Sequence, residues 1–193
     1  MTAQKNGFLI GVVIFLGLPI LLIMILVGYY NRIVSLDEGI DASWAQVETV
    51  LQRRYDLIPN LVNTVKGFAN QEKAVLTEVT ALRSQWAKAG SVAEKSRAAT
   101  GLEAALGKLM VISERYPELK SNQNFLRLQD ELAGTENRVS VERRRYNETV
   151  RNYNISIRRI PGSMIANFAG FEERDVYFEA TSGAATAPVV DFQ

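Results

Sequence analysis

Three carboxylate pairs, Asp37-Glu38, Asp130-Glu131 and Glu172-Glu173, have the best claim to acid–base or metal chemistry in this chain. Such chemistry needs carboxylates that converge in a cleft, ideally beside a histidine, whereas neighbours on a helix project about 100° apart. Solvated faces and helix starts fit these pairs better. The 193 residues contain no His and no Cys. That removes Cys/His zinc sites, disulfides, Ser-His-Asp and Cys-His nucleophiles, and the Glu-x-x-His motifs of di-metal bundles. No catalytic residue, cofactor site or metal site is expected. The net charge is +1, from 22 basic and 21 acidic groups, so the bulk electrostatics point to neither nucleic acid nor an acidic substrate. No small-molecule substrate is implied either.

Two other groupings suggest binding. Arg143, Arg144 and Arg145, followed by Arg151, Arg158 and Arg159, make one stretch strongly basic. Cations near a helix C-terminus complement its dipole and can pair with Glu142 and Glu148, and this solvated helix end is the simpler reading. The alternative is that Arg143, Arg144, Arg145, Arg158 and Arg159 touch anionic lipid or an acidic partner. Asp56, Asn60, Asn63, Gly67 and Asn70 form the second grouping, spaced four, three, four and three apart and hence on one helix face. A plain solvated face would carry Lys and Glu, since Asn and Gly each cost roughly several tenths of a kcal/mol relative to Ala. Small and amide side chains let another helix approach and hydrogen-bond. This face therefore reads either as a contact surface or as simple exposure.

The elements that position these residues begin with an anchor. From Gly7 to Tyr30 the chain reads GFLIGVVIFLGLPILLIMILVGYY, with no charge between Lys5 and Arg32. At about 1.5 Å per residue this run reaches about 36 Å, enough to cross a hydrocarbon core of roughly 30 Å. It is longer than a signal-peptide core, lacks a small-residue cleavage site, and ends in Tyr29 and Tyr30, which suit the interface belt. Pro19 is tolerable in such a helix. Lys5 with the N-terminal amine faces Arg32 alone, so the flanking charges do not set an orientation. The expected organisation is a flank over 1–6, a transmembrane helix over 7–30, a helical domain over 31–179 and a flexible tail over 180–193.

Beyond the anchor, apolar residues recur seven apart in two interleaved series: Ile33, Ile40, Val47, Arg54, Leu61, Phe68, Val75, Leu82, and Trp44, Leu51, Ile58, Val65, Glu72, Val79, Trp86. Only Arg54 and Glu72 interrupt them, which predicts one helix from 32 to 88, about 85 Å long, kinked at Pro59. Gly90 should end it, with Ser91 capping a second helix to about Arg115. After Tyr116-Pro117-Glu118, Ser121 can cap a third helix to about Arg159, where Pro161-Gly162 stops it. The fold class is all-α: an N-terminal transmembrane helix followed by an antiparallel helical bundle with a very long first helix.

Three strings carry a resemblance: LDEGIDASWAQVETVLQRRYDLIPNLVNTVKGFANQE, NQNFLRLQDELAGTENRVSVERRRYNETVRNYN and IRRIPGSMIANFAGF. They resemble the LemA family of bacterial membrane proteins from the anchor to about Glu179. The resemblance implies a single transmembrane helix and an antiparallel bundle, no enzymatic activity, and no catalytic residues to transfer. It also implies the bacterial inner membrane, with the bundle on the cytoplasmic side.

A partner expectation follows from the lengths. A second helix folding back would descend less than halfway along the first, leaving Ile33, Ile40, Trp44, Val47 and Leu51 uncovered unless residues 160–193 return over them. An exposed apolar stripe marks an interface. Ile40, Trp44, Val47 and Leu51, with Asn60, Asn63, Gly67 and Asn70, are therefore the expected contacts of a homo-oligomer. The expected function is a non-enzymatic, membrane-anchored scaffold that self-associates and recruits other envelope proteins. The alternative is a regulatory adaptor for a membrane enzyme such as a protease.

Overall fold

The computed structural model describes the backbone of residues 2–178 and the side chains of residues 15–178. The expected tail of 180–193 lies outside the described residues. Among these are six helices and no strand: α1 (Thr2–Phe68), α2 (Lys73–Lys88), α3 (Val92–Ser113), α4 (Pro117–Lys120), α5 (Gln123–Arg158) and α6 (Gly162–Ala169). Residues 171–178 follow without regular secondary structure. The chain is all-α and packs as two compact units, one of residues up to Ala42 with Glu148–Asp175, the other of Ser43–Asn147 with residues from Val176 on.

In the second unit, α1 does not run on to Lys88. It ends at Phe68, and the chain turns through Ala69–Glu72 into α2. Gly67 and Asn70 are poor helix formers at the point of the break. The stripe gives no warning because two amphipathic helices joined by this turn keep the seven-residue phase. Of the two series, the second stays buried across the turn, at Val65, Val79 and Trp86, whereas in the first Val75 and Leu82 are half-buried and Leu76 takes the interior place. Phe68, expected in the core, is 38% exposed. Glu72, the second interruption of the stripe, is the N-cap residue of α2, and its carboxylate accepts hydrogen bonds from Arg115 Nη2 at 3.1 Å and Tyr116 Oη at 3.3 Å.

Pro59 leaves α1 unbroken. Lacking an N–H, it deprives the Tyr55 carbonyl of its intrahelical partner, and Arg83 Nε of α2 donates to that oxygen at 3.3 Å. Tyr55 also stacks on Trp86, with centroids 4.3 Å apart and planes 17° apart. These contacts fold α2 back antiparallel on α1. The returning chain then enters α3 through a capping box: Ser91 Oγ accepts from Glu94 N at 3.2 Å, and the Glu94 carboxylate accepts from Gly90 N and Ser91 N. Those backbone donors hold the Glu94 carboxyl below the usual carboxylate range. Asn122, rather than Ser121, caps α5 through Oδ1, which accepts from Asn124 N and Phe125 N. In this unit α1, α2, α3 and α5 alternate in direction, and Leu102, Leu106, Leu109, Leu132, Val139 and Tyr146 are interior.

The first unit is simpler. The α1 residues Ile33 and Ile40 and the α5 residues Val150, Tyr153 and Ile157 are buried. A Cβ added at Gly39 would lie 3.6 Å from Thr149 Cγ2, so the two helices are in van der Waals contact there.

If the core is as described, Leu102→Ala should cost roughly 2–5 kcal/mol. Phe68→Ala should cost less, about 1–2 kcal/mol, because over a third of the residue is already in water. Thermal unfolding of the full chain in mild detergent checks both, and equal losses would contradict the partial exposure of Phe68.

Candidate functional site

The sequence offers contact residues, not reactive ones, and the structure sorts them into interior and surface. Val47 and Leu51 are at most 1% exposed. Trp44 stacks on Phe178 at 5.9 Å and 17°, and meets Tyr146 edge-on at 5.8 Å; Tyr146 and Phe178 meet at 5.7 Å and 76°. In the other unit Ile33 and Ile40 are likewise buried. The expectation of an uncovered stripe is therefore corrected. α5 and the segment 171–178 of the same chain supply the cover, because α5 runs for 36 residues and the chain after α6 returns over the seam.

Two asparagines dock that returning segment. Asn147 Nδ2 donates to the Phe178 carbonyl at 2.8 Å while its Oδ1 accepts from Phe178 N at 2.9 Å. Within the first unit, Asn154 makes the same pair with Arg174, at 2.7 and 3.0 Å. Tyr153 Oη donates to the Glu172 carbonyl at 2.9 Å, and Arg174 reaches Asp37 Oδ1 from Nη2 at 2.9 Å and from Nε at 3.1 Å. The Asp37 bond holds the Arg174 guanidinium above its ordinary value, while burial chiefly pushes the Tyr153 phenol up. Sequence reasoning missed Asn147, Asn154 and Arg174. Their signal is the repeat itself: Asn147 and Asn154 each follow a seam tyrosine, seven residues apart.

Buried charge explains the other interruption of the stripe. Arg54, 6% exposed, pairs with Glu136 of α5, and Arg143 pairs with Glu103 of α3 at 2.5 Å. Arg143 Cζ also lies 4.9 Å over the Phe178 ring. Burial pulls the Arg54 guanidinium below its ordinary range, with Glu103 opposing and Arg143 adding to the fall. Burial likewise pushes the Tyr55 phenol up. Tyr55 Oη and Trp86 Nε1 are buried without a hydrogen-bond partner.

The basic stretch is thus not one patch. Arg143 is inside the bundle, a correction to its place among lipid or partner contacts, because Glu103 and Phe178 hold it there. Arg145 pairs with Glu142 at 2.9 Å and Arg158 with Glu173 at 3.4 Å, while Arg144 and Arg159 are exposed. Of the carboxylate pairs, Asp37 and Glu173 hold arginines; Glu38, Asp130, Glu131 and Glu172 are exposed. Among the described residues no three metal-ligating side chains converge.

The polar face of α1 stays open. Asp56, Asn60, Asn63 and Gly67 are all exposed, as is Asn70 in the turn beyond the helix, and a Cβ at Gly67 would meet nothing within 4 Å. Lys66 and Asn70 also border a shallow groove of about 610 Å³ with Lys73, Leu76, Thr77 and Thr80.

At the other end of α1 every side chain from Phe15 to Tyr30 is exposed, and α1 is long and apolar enough to cross a membrane. A long apolar helix end joined to a bundle that closes its own core defines a membrane-associated helical-bundle protein. The chain belongs to the LemA family, whose family profile matches residues 43–192. It is similar to magnetosome protein MamQ 2 of Paramagnetospirillum magneticum and to magnetosome protein MamQ of Magnetospirillum gryphiswaldense. Each is 26% identical over 180 residues, covering 80% of this chain and 66% of the relative. Protein LemA of Metamycoplasma hominis is 24% identical over 136 residues, covering 68% of this chain and 60% of that protein. The chain thus spans just under two thirds of the length of its magnetosome relatives.

Glu103→Gln leaves the Arg143 guanidinium buried without its counter-charge and should cost about 3–5 kcal/mol, whereas replacing both residues by apolar ones should recover most of the loss. Denaturant unfolding of the two variants gives the comparison. Asn154→Leu removes both bonds to the Arg174 backbone. Hydrogen exchange at Arg174 N–H should then accelerate while exchange in α3 stays unchanged.

Proposed function

We propose that this chain is a non-enzymatic scaffold, anchored by one transmembrane pass over 7–30 in a bacterial inner membrane, with the bundle on the cytoplasmic side. It presents Asn60, Asn63 and Gly67 of α1, with Asn70 of the turn that follows, to other envelope proteins and to copies of itself. The observation that carries this reading is the openness of that face. A run of Asn and Gly on a long helix costs helix stability, and no part of the described chain is packed on it to compensate. The absence of His and Cys and the lack of any reaction in the names of the family and its relatives support a non-enzymatic role. Relatives named for the magnetosome support a part in a larger assembly.

Burial of Ile40, Val47 and Leu51 favours a second reading, since it removes the apolar stripe that would have driven copies together. On that reading the open face engages one different protein, and the chain is an adaptor that regulates a membrane enzyme such as a protease.

Single cysteines at positions 60, 63 and 70 of the cysteine-free chain discriminate. Disulfide or bifunctional crosslinking in native membranes should join copies through these positions, with a cysteine at the buried position 47 as the negative control. A stoichiometric second protein at these positions would move the assignment to the adaptor. Efficient modification by small maleimides with no crosslink to any protein would leave the face plainly solvated and end both readings.

A further inference from the structure

We propose that α6 lies in the membrane surface beside the anchor, and that the cleft between α1 and α5 next to it takes the headgroup of an anionic phospholipid. Three observations within the first unit meet here.

α6 wears its apolar side outward. On α6 Met164 is 67% exposed and Phe168 95%, four residues apart, and Ile160, two residues before the helix, is 82% exposed, while Gly162 and Ala166 face the protein. In water this arrangement is inverted, because large apolar side chains are normally the buried ones. It is the pattern of a helix that rests its apolar face at the headgroup–acyl boundary. The inversion is fixed by backbone. A Cβ at Gly162 would lie 2.0 Å from the Ser156 carbonyl oxygen, so the start of α6 sits directly against the last turns of α5. At the other end Gly170 takes φ 78°, and the N–H groups of Gly170 and Phe171 both donate to the Ala166 carbonyl.

That C-cap sends Phe171 onto Tyr30, with ring centroids 5.8 Å apart. Tyr30 closes the apolar run of α1, where interface tyrosines belong. The end of α6 is thereby placed at the level where the anchor leaves the lipid.

A cleft of about 560 Å³ opens at the same level, and Arg32 of α1 and Arg159 beyond α5 both line it. Tyr29, Asn152 and Ser156 add hydroxyl and amide groups, Leu36, Ile155 and Ile160 add apolar wall, and no lining residue is acidic. Two guanidiniums with hydroxyl and amide donors suit a phosphate, and the apolar wall suits the chains attached to it. Continuity with the anchor commits the site to a lipid.

The inference rests on the anchored reading, so the test uses chains already in nanodiscs, where its failure leaves the anchor standing. Cysteines at 164 and 168 carry a polarity-sensitive fluorophore, with Val111→Cys, at an exposed position of α3, as the water reference. Nitroxide-bearing lipids should quench labels 164 and 168 several-fold more than label 111, and aqueous iodide should quench them less. Phosphatidylglycerol retained per chain after mild extraction from mixed phosphatidylcholine–phosphatidylglycerol membranes should fall about fivefold for each arginine removed in Arg32→Gln and Arg159→Gln. Labels that behave like position 111 would overturn the proposal. So would labels shielded from both quenchers, which would mean a protein partner covers α6, or unchanged phosphatidylglycerol retention in the double variant.

Discussion

The apolar stripe of α1 governs this fold. A helix carrying large aliphatic residues at Ile33, Ile40, Val47, Leu51, Ile58, Leu61 and Val65 cannot leave them in water, since each buried side chain is worth roughly 1.5–3 kcal/mol. Every one of these residues is at most 3% exposed. The chain covers them by reversing direction repeatedly, through the turn at Ala69–Glu72, the capped entries to α3 and α5, and the segment after α6. Copies of the chain are not needed to close the core. The question of partnership therefore moves from the stripe to the surfaces it leaves free.

Polar groups inside the bundle are placed where the helices would otherwise slide. Arg54 and Arg143 reach different helices, to Glu136 and Glu103. Such pairs add little net stability over apolar residues, because desolvation offsets their attraction. Their effect is positional: one shifted turn would leave guanidiniums buried without carboxylates. Arg83 does similar work at Pro59, where a proline withholds one donor and a neighbouring helix provides another.

Much of this was legible in the residues. The apolar first part of α1, the start of α3 at Ser91, the long α5 and many core positions follow from hydropathy, periodicity and capping chemistry, which act locally. The end of α1 was not legible, because a four-residue turn can leave a heptad phase intact and only Gly67 and Asn70 hinted at it. The cover over Trp44 was hidden for another reason. Residues 171–178 have no periodicity of their own, and what places them is a set of hydrogen bonds from Asn147, Tyr153 and Asn154, donors that a seven-residue pattern treats as ordinary seam neighbours. Arg143 read as surface because Arg is usually exposed; its partners Glu103 and Phe178 are distant in sequence. Of the expected contacts, Asn60, Asn63 and Gly67 are where the helical wheel puts them, on open surface, while Asn70 is exposed in the turn that ends the helix.

Asn147 and Asn154 grip peptide groups, not side chains. A side-chain amide that offers one donor and one acceptor to a residue's own N–H and C=O imitates the edge of a neighbouring strand. Such a grip is indifferent to spelling. A substitution at 174 or 178 leaves these backbone donors and acceptors in place, so the strap keeps its hold through changes of side chain that would undo a clasp made between side chains.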